Sequence, residues 1–280
     1  MQSVRVCRIC STYSPWEVNR MRVGAAILYL TCLAISSNIE NVSCMANTKI
    51  IGGRAVHIRQ RPFMLSLHNS HGFVCGASIL SRKWGITALH CVISEGITDY
   101  YVRAGSNTPY GGSLHRFTKV YAYNDTTFPY WFSSMFHHDI ALFKVWPNFR
   151  FSSSVRPVRL PSEFSQPPPK LYVCGWGYID FRSDGDATVS RVLMGVYVRR
   201  TPYEICINEA PEYKLLVKEE RHICYGQRGK DSCYGDSGGP LASRNTIYGV
   251  VSFGQKCGVV SGVYARVSYY RSWIKRVTKL

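Results

Sequence analysis

The sequence predicts an all-β protein closed by a single C-terminal helix. Its hydrophobic runs are short and broken by Gly, Pro, Asn and Ser, and aromatic and β-branched residues are plentiful, a pattern of many short strands. At 280 residues with 46% hydrophobic content, the chain can bury the core of one large β domain or two ordinary ones. Its eleven cysteines include one close Cys-x-x-Cys pair, Cys7 and Cys10, ahead of the strand-like region. Disulfides in an oxidising compartment therefore fit better than metal or redox chemistry.

Along the chain, Met21-Arg22 precedes an apolar run over residues 23–35 and the small residues Ser36 and Ser37, the layout of a signal peptide. The run is too short to span a bilayer as a helix. Residues 1–20 are polar and would bury such a signal, so they are read as a non-native leader ahead of a true start at Met21. Residues 21–37 then form the signal, with an uncleaved signal anchor as the alternative. A polar stretch at 38–49 carries Cys44 and the glycosylation sequon at Asn41, and is too small to be a domain.

From Ile50 onward strand-like segments run over 63–68, 72–80, 100–104 and 140–145, followed by a stiff extended crossing at Gln166-Pro167-Pro168-Pro169-Lys170. A second series covers 171–176, 192–199, 246–253 and 262–267. Residues 269–277 place Tyr270, Trp273, Ile274 and Val277 at helical spacing, predicting an amphipathic helix packed on the strands. The formal net charge is +17, and without residues 1–49 it is +14, from 29 basic and 15 acidic residues. Such a surface attracts anionic surfaces nonspecifically, while no recognition motif marks specific nucleic-acid binding.

The strongest chemical signal is Asp231-Ser232-Cys233-Tyr234-Gly235-Asp236-Ser237-Gly238-Gly239-Pro240, a serine among glycines that let a substrate backbone approach. Residues 235–239 also match the Gly-x-Ser-x-Gly elbow of α/β-hydrolases, which run Ser, acid, His along the chain. No histidine follows Ser237, the last being His222, which removes that reading. The order His, Asp, Ser is available as His90, Asp139 and Ser237. His90 ends the apolar segment Thr87-Ala88-Leu89-His90-Cys91, and Asp139 opens Asp139-Ile140-Ala141-Leu142, an acid at the mouth of a buried strand where unpartnered carboxylates are rare.

With Ile50-Ile51-Gly52-Gly53, the His90 and Asp139 segments, Gly175-Trp176-Gly177 and the Ser237 segment in this order, residues 50–280 resemble the trypsin and chymotrypsin family. The resemblance implies two packed six-stranded antiparallel β-barrels with the active site between them, and a serine endopeptidase needing no cofactor. It implies that Ser237 is the nucleophile, His90 the general base and acid, and Asp139 the residue that fixes the imidazole, with the N–H groups of Gly235 and Ser237 as the oxyanion hole. Asp231 resembles the acid at the base of the primary pocket, with Ser252, Gly254 and Gly262 lining it, which implies cleavage after Lys or Arg. Lys49, Ile50 and Asp236 resemble the activation machinery, making 38–49 an activation propeptide and the protein a zymogen.

The same resemblance implies bridges Cys75–Cys91, Cys206–Cys224 and Cys233–Cys257. Cys174 is left without an obvious mate, either as a free buried thiol, the preferred reading, or tethered to Cys44. Residues 106–123 contain no Asp or Glu where the vertebrate relatives bind calcium, so no metal is expected there. Asn124-Asp125-Thr126 offers a second glycosylation sequon, and the aromatic residues Phe128, Tyr130, Trp131, Phe132 and Phe136 precede Asp139, either narrowing a subsite or simply packing. Phe253 stands where the family commonly has tryptophan. The expected partners are protein or peptide substrates and serine protease inhibitors, for a secreted monomer. A catalytically dead relative on the same fold is the rival reading, and the sequence does not divide a digestive from a regulatory role.

Overall fold

Strands in this chain form where apolar side chains can be buried on a closed sheet. The computed structural model describes residues 50–123, 136–181 and 187–280. A two-residue strand β1 (Arg54–Ala55) precedes β2 (Met64–Asn69), β3 (Gly72–Ile79), β4 (Trp84–Thr87), β5 (Tyr101–Ala104), β6 (Ser113–Ala122) and β7 (Ala141–Trp146). Strands β2 to β7 close into an antiparallel barrel in the order β2-β3-β4-β7-β6-β5, with β5 returning to β2. Its interior is filled by side chains such as Leu65, Leu67, Ala77, Ile79, Ile86, Val102, Leu142 and Phe143, all essentially inaccessible to water.

The second half supplies β8 (Lys170–Gly175), β9 (Tyr178–Phe181), β10 (Ala187–Val189), β11 (Met194–Thr201), β12 (His222–Tyr225), β13 (Pro240–Ser243), β14 (Thr246–Phe253) and β15 (Gly262–Arg266). Six of them form a second closed antiparallel barrel, β8-β11-β12-β15-β14-β13, because β8 pairs with both β11 and β13. β1 lengthens its sheet at β11, and β9 with β10 makes a separate ribbon. Ile50, Leu171, Val173, Val198, Tyr225, Leu241 and Tyr264 fill this core. Met64 and Phe73 from the first barrel meet Cys174 and Trp176 from the second, so the two closed sheets share a dry contact.

Among the described residues three short α-helices follow: α1 (Tyr203–Glu209), α2 (Tyr213–Leu216) and α3 (Arg271–Thr278). The helix predicted over 269–277 is α3, shifted because Tyr270 becomes its N-cap. It ends where Lys279 takes the left-handed conformation at φ 64° and returns its N–H to the Lys275 carbonyl. Trp273 and Ile274 are buried in one cluster with residues of both barrels. Among the described residues no helix is long and apolar enough to cross a membrane.

The eight predicted strands are present with ends displaced by at most two residues. Strands β4, β6, β12 and β13 were not distinguished by pattern. β6 carries Arg116, Thr118 and Lys119 and buries only His115 and Phe117, and its conformation is imposed by pairing with β5 and β7 on either side. β13 begins at Pro240, a position where a missing N–H costs the ladder nothing.

Trp273→Ala should destabilise the protein by about 3–5 kcal/mol and lower its thermal midpoint by about 10 °C. Leu215→Ala, at a side chain 74% exposed, should leave the midpoint within about 1 °C in the same calorimetric scan.

Candidate active site

A short 3-10 turn over Leu89–Val92 follows β4 and presents His90, whose neighbour Cys91 is bridged to Cys75 on β3. A second such turn, Phe136–His138, delivers Asp139 to the start of β7. The two side chains meet because β4 and β7 are directly paired. Asp139 is fully buried, and its Oδ2 accepts a hydrogen bond from His90 Nδ1 at 2.8 Å while its Oδ1 accepts the His90 backbone N–H at 2.9 Å. Ser252 Oγ donates to the same Oδ2 at 2.5 Å.

Burial opposes ionisation of Asp139, but the His90 charge and these three donors outweigh it and hold the carboxyl below its ordinary value. Burial likewise opposes protonation of His90, and the Asp139 charge and hydrogen bond raise its pKa above 6.5 despite it. With Nδ1–H committed to Asp139, the Nε2 lone pair is the basic atom of the ring. Sulfur atoms of Cys75 and Cys91 lie with His90 in the kind of cluster that can hold a metal, but they are joined to each other and offer no thiolate.

Ser237 sits on a turn that only glycines permit. Gly235 and Gly238 have φ of 82° and 74°, and a Cβ on Gly238 would overlap Thr87 Oγ1 and the Gly76 carbonyl. The loop is fastened to both barrels: Gly76 N donates to the Ser237 carbonyl at 2.7 Å and Gly238 N to the Val251 carbonyl at 2.8 Å. Asp236 N and Gly239 N are also bonded within the loop, whereas the N–H groups of Gly235 and Ser237 have no acceptor among the described residues. Two donors left open beside a half-buried serine are available to an oxygen that carries developing negative charge.

Asp231 is buried beside Gly226 and Gly262, and Gly254 lies against Gly262. Its carboxylate accepts N–H groups of Ser232 at 2.8 Å and Gly258 at 3.1 Å, and among the described residues no cation pairs with it. Burial pushes its pKa up to about 7. A Cβ on Gly262 would stand 3.0 Å from Asp231 Oδ1, in the space a long side chain needs. The disulfide Cys233–Cys257 ties the segment after Asp231 to the loop before β15, and Cys206–Cys224 holds α1 to β12.

Asp236 is the third buried acid. It accepts Gly177 N at 2.9 Å and Cys233 N at 3.0 Å, and burial raises its pKa to about 7. Gly175 and Gly177 are obligatory beside it, since a Cβ on either would overlap the carboxylate. Nearby, Ile51 exchanges backbone hydrogen bonds with Asp231, and Ile50 is buried in the second core.

A trypsin family model matches residues 50–274. The chain belongs to the trypsin family. It is 37% identical to trypsin 5G1 of Aedes aegypti over 83% of this chain and 86% of that protein. It is 30% identical to trypsin epsilon of Drosophila erecta, over 92% and 99% of the two chains, and 29% identical to trypsin theta of the same species, over 89% and 96%. As a member of this family it is a serine endopeptidase, a hydrolase acting on proteins, on two closed six-stranded antiparallel barrels.

In this trypsin-family chain His90 is bonded to Asp139, the Ser237 loop is held by Gly76 and Val251, and Gly262 lies beside both Asp231 and Gly254. Ser252 lies on β14, and its hydroxyl donates to Asp139. Cys174 is buried, bonded to no described cysteine, with burial raising its thiol pKa to about 12 and Met64 Sδ at 4.0 Å. Lys49, Cys44, Asn41, Asn124, Phe128, Tyr130, Trp131 and Phe132 lie outside the described residues. Sequence reasoning missed Tyr213, whose hydroxyl donates to the Ser261 carbonyl at 2.8 Å and accepts Gln255 N at 3.1 Å, fixing the wall before Gly262. It carries no local signal, because its partners are more than forty residues away.

Asp236 and Asp231 bind protons more tightly folded than unfolded, so each weakens the fold as pH rises from 3.8 through 7, by on the order of 4 kcal/mol when fully ionised. His68 and His138, whose pKa values burial lowers to about 4, act in the opposite sense as pH falls through 6.5. In intact Ser237→Ala protein, Asp236→Asn should therefore flatten the loss of stability between pH 5 and 7.5. Urea unfolding at the two pH values measures this, and an unchanged slope would show that Asp236 is not a buried unpaired acid.

Proposed function

We propose that this endopeptidase is secreted and cuts after Lys or Arg, using His90, Asp139 and Ser237, and that it is made as a zymogen activated by cleavage after Lys49. The observation carrying the specificity is Asp231, a buried carboxylate with no cation paired to it among the described residues, beside Gly226 and Gly262, whose missing side chains would form the slot. A substrate ammonium or guanidinium entering the slot supplies the missing charge, which favours the ionised acid and holds the scissile bond in register.

In the reaction, His90 Nε2 accepts the Ser237 hydroxyl proton as Oγ bonds to the scissile carbonyl carbon. The carbonyl oxygen becomes an oxyanion received by the Gly235 and Ser237 N–H groups, and Asp139 stabilises the imidazolium. His90 then protonates the amine as the C–N bond breaks, leaving an acyl-enzyme that water hydrolyses by the same proton path. Ser252, through Oδ2 of Asp139, is a positioning residue for this pair.

Activation rests on Asp236. Cleavage after Lys49 creates an α-amino group on Ile50, ordinarily titrating at about 7.7–8.0. As a cation beside Asp236 it neutralises the buried acid and orders the loop that carries Gly235 and borders Asp231. Residues 1–20 are then a leader, 21–37 a signal, 38–49 the propeptide and 50–280 the enzyme, a monomer open to protein substrates and to serine protease inhibitors.

Asp231→Ser should lower kcat/KM for Lys and Arg peptides by at least a hundredfold in a peptide-library assay while substrates with small apolar residues lose little. Wild-type cleavage after aromatic residues would overturn the pocket reading. Lys49→Gln should give folded, uncut protein that a phosphonate probe of Ser237 does not label, whereas full labelling of the uncut chain would defeat the ion-pair account of activation.

A further inference from the structure

We infer that the outer face of the second barrel carries a binding site for a sulfated oligosaccharide, in the cleft formed by Arg54, Lys170, Tyr197, Arg199 and Lys230. The cleft encloses about 450 Å³, and no carboxylate lines it. All four cations are exposed, and none is in an ion pair among the described residues. None of these residues belongs to the catalytic constellation, so the inference stands apart from the specificity and activation proposed above.

The sheet register explains how the charges converge. On β11, positions 195, 197 and 199 share one face, with Tyr172 opposite Tyr197 and Lys170 directly opposite Arg199 on β8. On the other side Arg54 of β1 stands opposite Gly195. A side chain at Gly195 would overlap the Tyr172 ring, so the glycine is what lets that ring lie across β11 in the cleft. Lys230 completes the rim, its stem passing 3.0 Å from where a Cβ on Gly52 would lie. Like charges directly opposite on neighbouring strands repel. Concentrated in a concave surface, they also focus the field toward an anion.

The two tyrosines each carry a cation, one of them Lys170 of the cleft. Lys170 Nζ lies 4.8 Å from the Tyr197 centroid, and Arg61 covers the Tyr172 ring at 4.2 Å, while the rings meet edge to face at 4.8 Å and 72°. Each ring therefore gives a face to a cation and is not an open platform for stacking a nucleobase. What remains is recognition by charge alone. Closely spaced, permanently ionised sulfate groups on a thin chain satisfy four cations in one cleft, and arginine receives such oxyanions in pairs of hydrogen bonds.

Isothermal titration of Ser237→Ala protein with a fully sulfated heparin-derived octasaccharide at 0.15 M NaCl tests the site. Saturable one-to-one binding is expected, weakened at least tenfold by Lys170→Ala, Arg199→Ala and Lys230→Ala together. Removing the same charge elsewhere, as Arg150→Ala, Lys275→Ala and Arg276→Ala, should change Kd by less than twofold. Should the first triple variant fail to fold, the single variants Lys170→Gln and Arg199→Gln should each weaken binding about threefold. Equal losses in the two triple variants would reduce the effect to net charge and overturn the site. An oligothymidylate or polyglutamate of equal charge binding as tightly would overturn the ligand class.

Discussion

Three aspartates are buried among the described residues, and they meet burial in different ways. Asp139 is answered from within the protein: an imidazole and three hydrogen-bond donors overcome desolvation and keep it ionised. Asp231 and Asp236 receive only backbone N–H groups, and desolvation wins, raising both to about 7. A fold that retains two such acids retains the need for two cations. In the proposed function the first is a substrate's and the second the new chain terminus.

The barrels exist, in this sense, to hold those carboxylates away from water while bringing them near the serine loop. His90 and Asp139 come from neighbouring strands of the first barrel, whereas Ser237, Asp231 and Asp236 belong to the second. The bridge between halves is specific. Gly76 of the first barrel donates to the Ser237 carbonyl, and Ser252 of the second reaches Asp139. Dry packing of Met64 and Phe73 against Cys174 and Trp176 sets the distance across which these bonds form.

Glycine supplies the remaining geometry, by absence of a side chain. At Gly238 the positive φ and the proximity of Thr87 and Gly76 leave no space for any other residue. At Gly262 and Gly195 the missing Cβ instead lets another group come close, in one case the Asp231 carboxylate and in the other the Tyr172 ring. The first kind of glycine fixes a backbone, and the second admits a neighbour.

By itself the sequence determined the strands with strong apolar runs, the C-terminal helix, and the chemical residues whose motifs are local, because burial periodicity and a glycine-rich serine turn are written in contiguous residues. His90, Asp139 and Ser237 were legible through their immediate neighbours and their order along the chain. Only tertiary structure decided β6, whose polar sequence becomes a strand between two partners. It also decided the bond from the Ser252 hydroxyl to Asp139 and the bond from Tyr213 to the Ser261 carbonyl. The juxtaposition of Lys170 with Arg199 and Arg54 with Gly195 likewise depends on register between strands far apart in the chain. Each is an interaction across tens of residues, set by which strands pair and how the barrels close, and no local pattern encodes it.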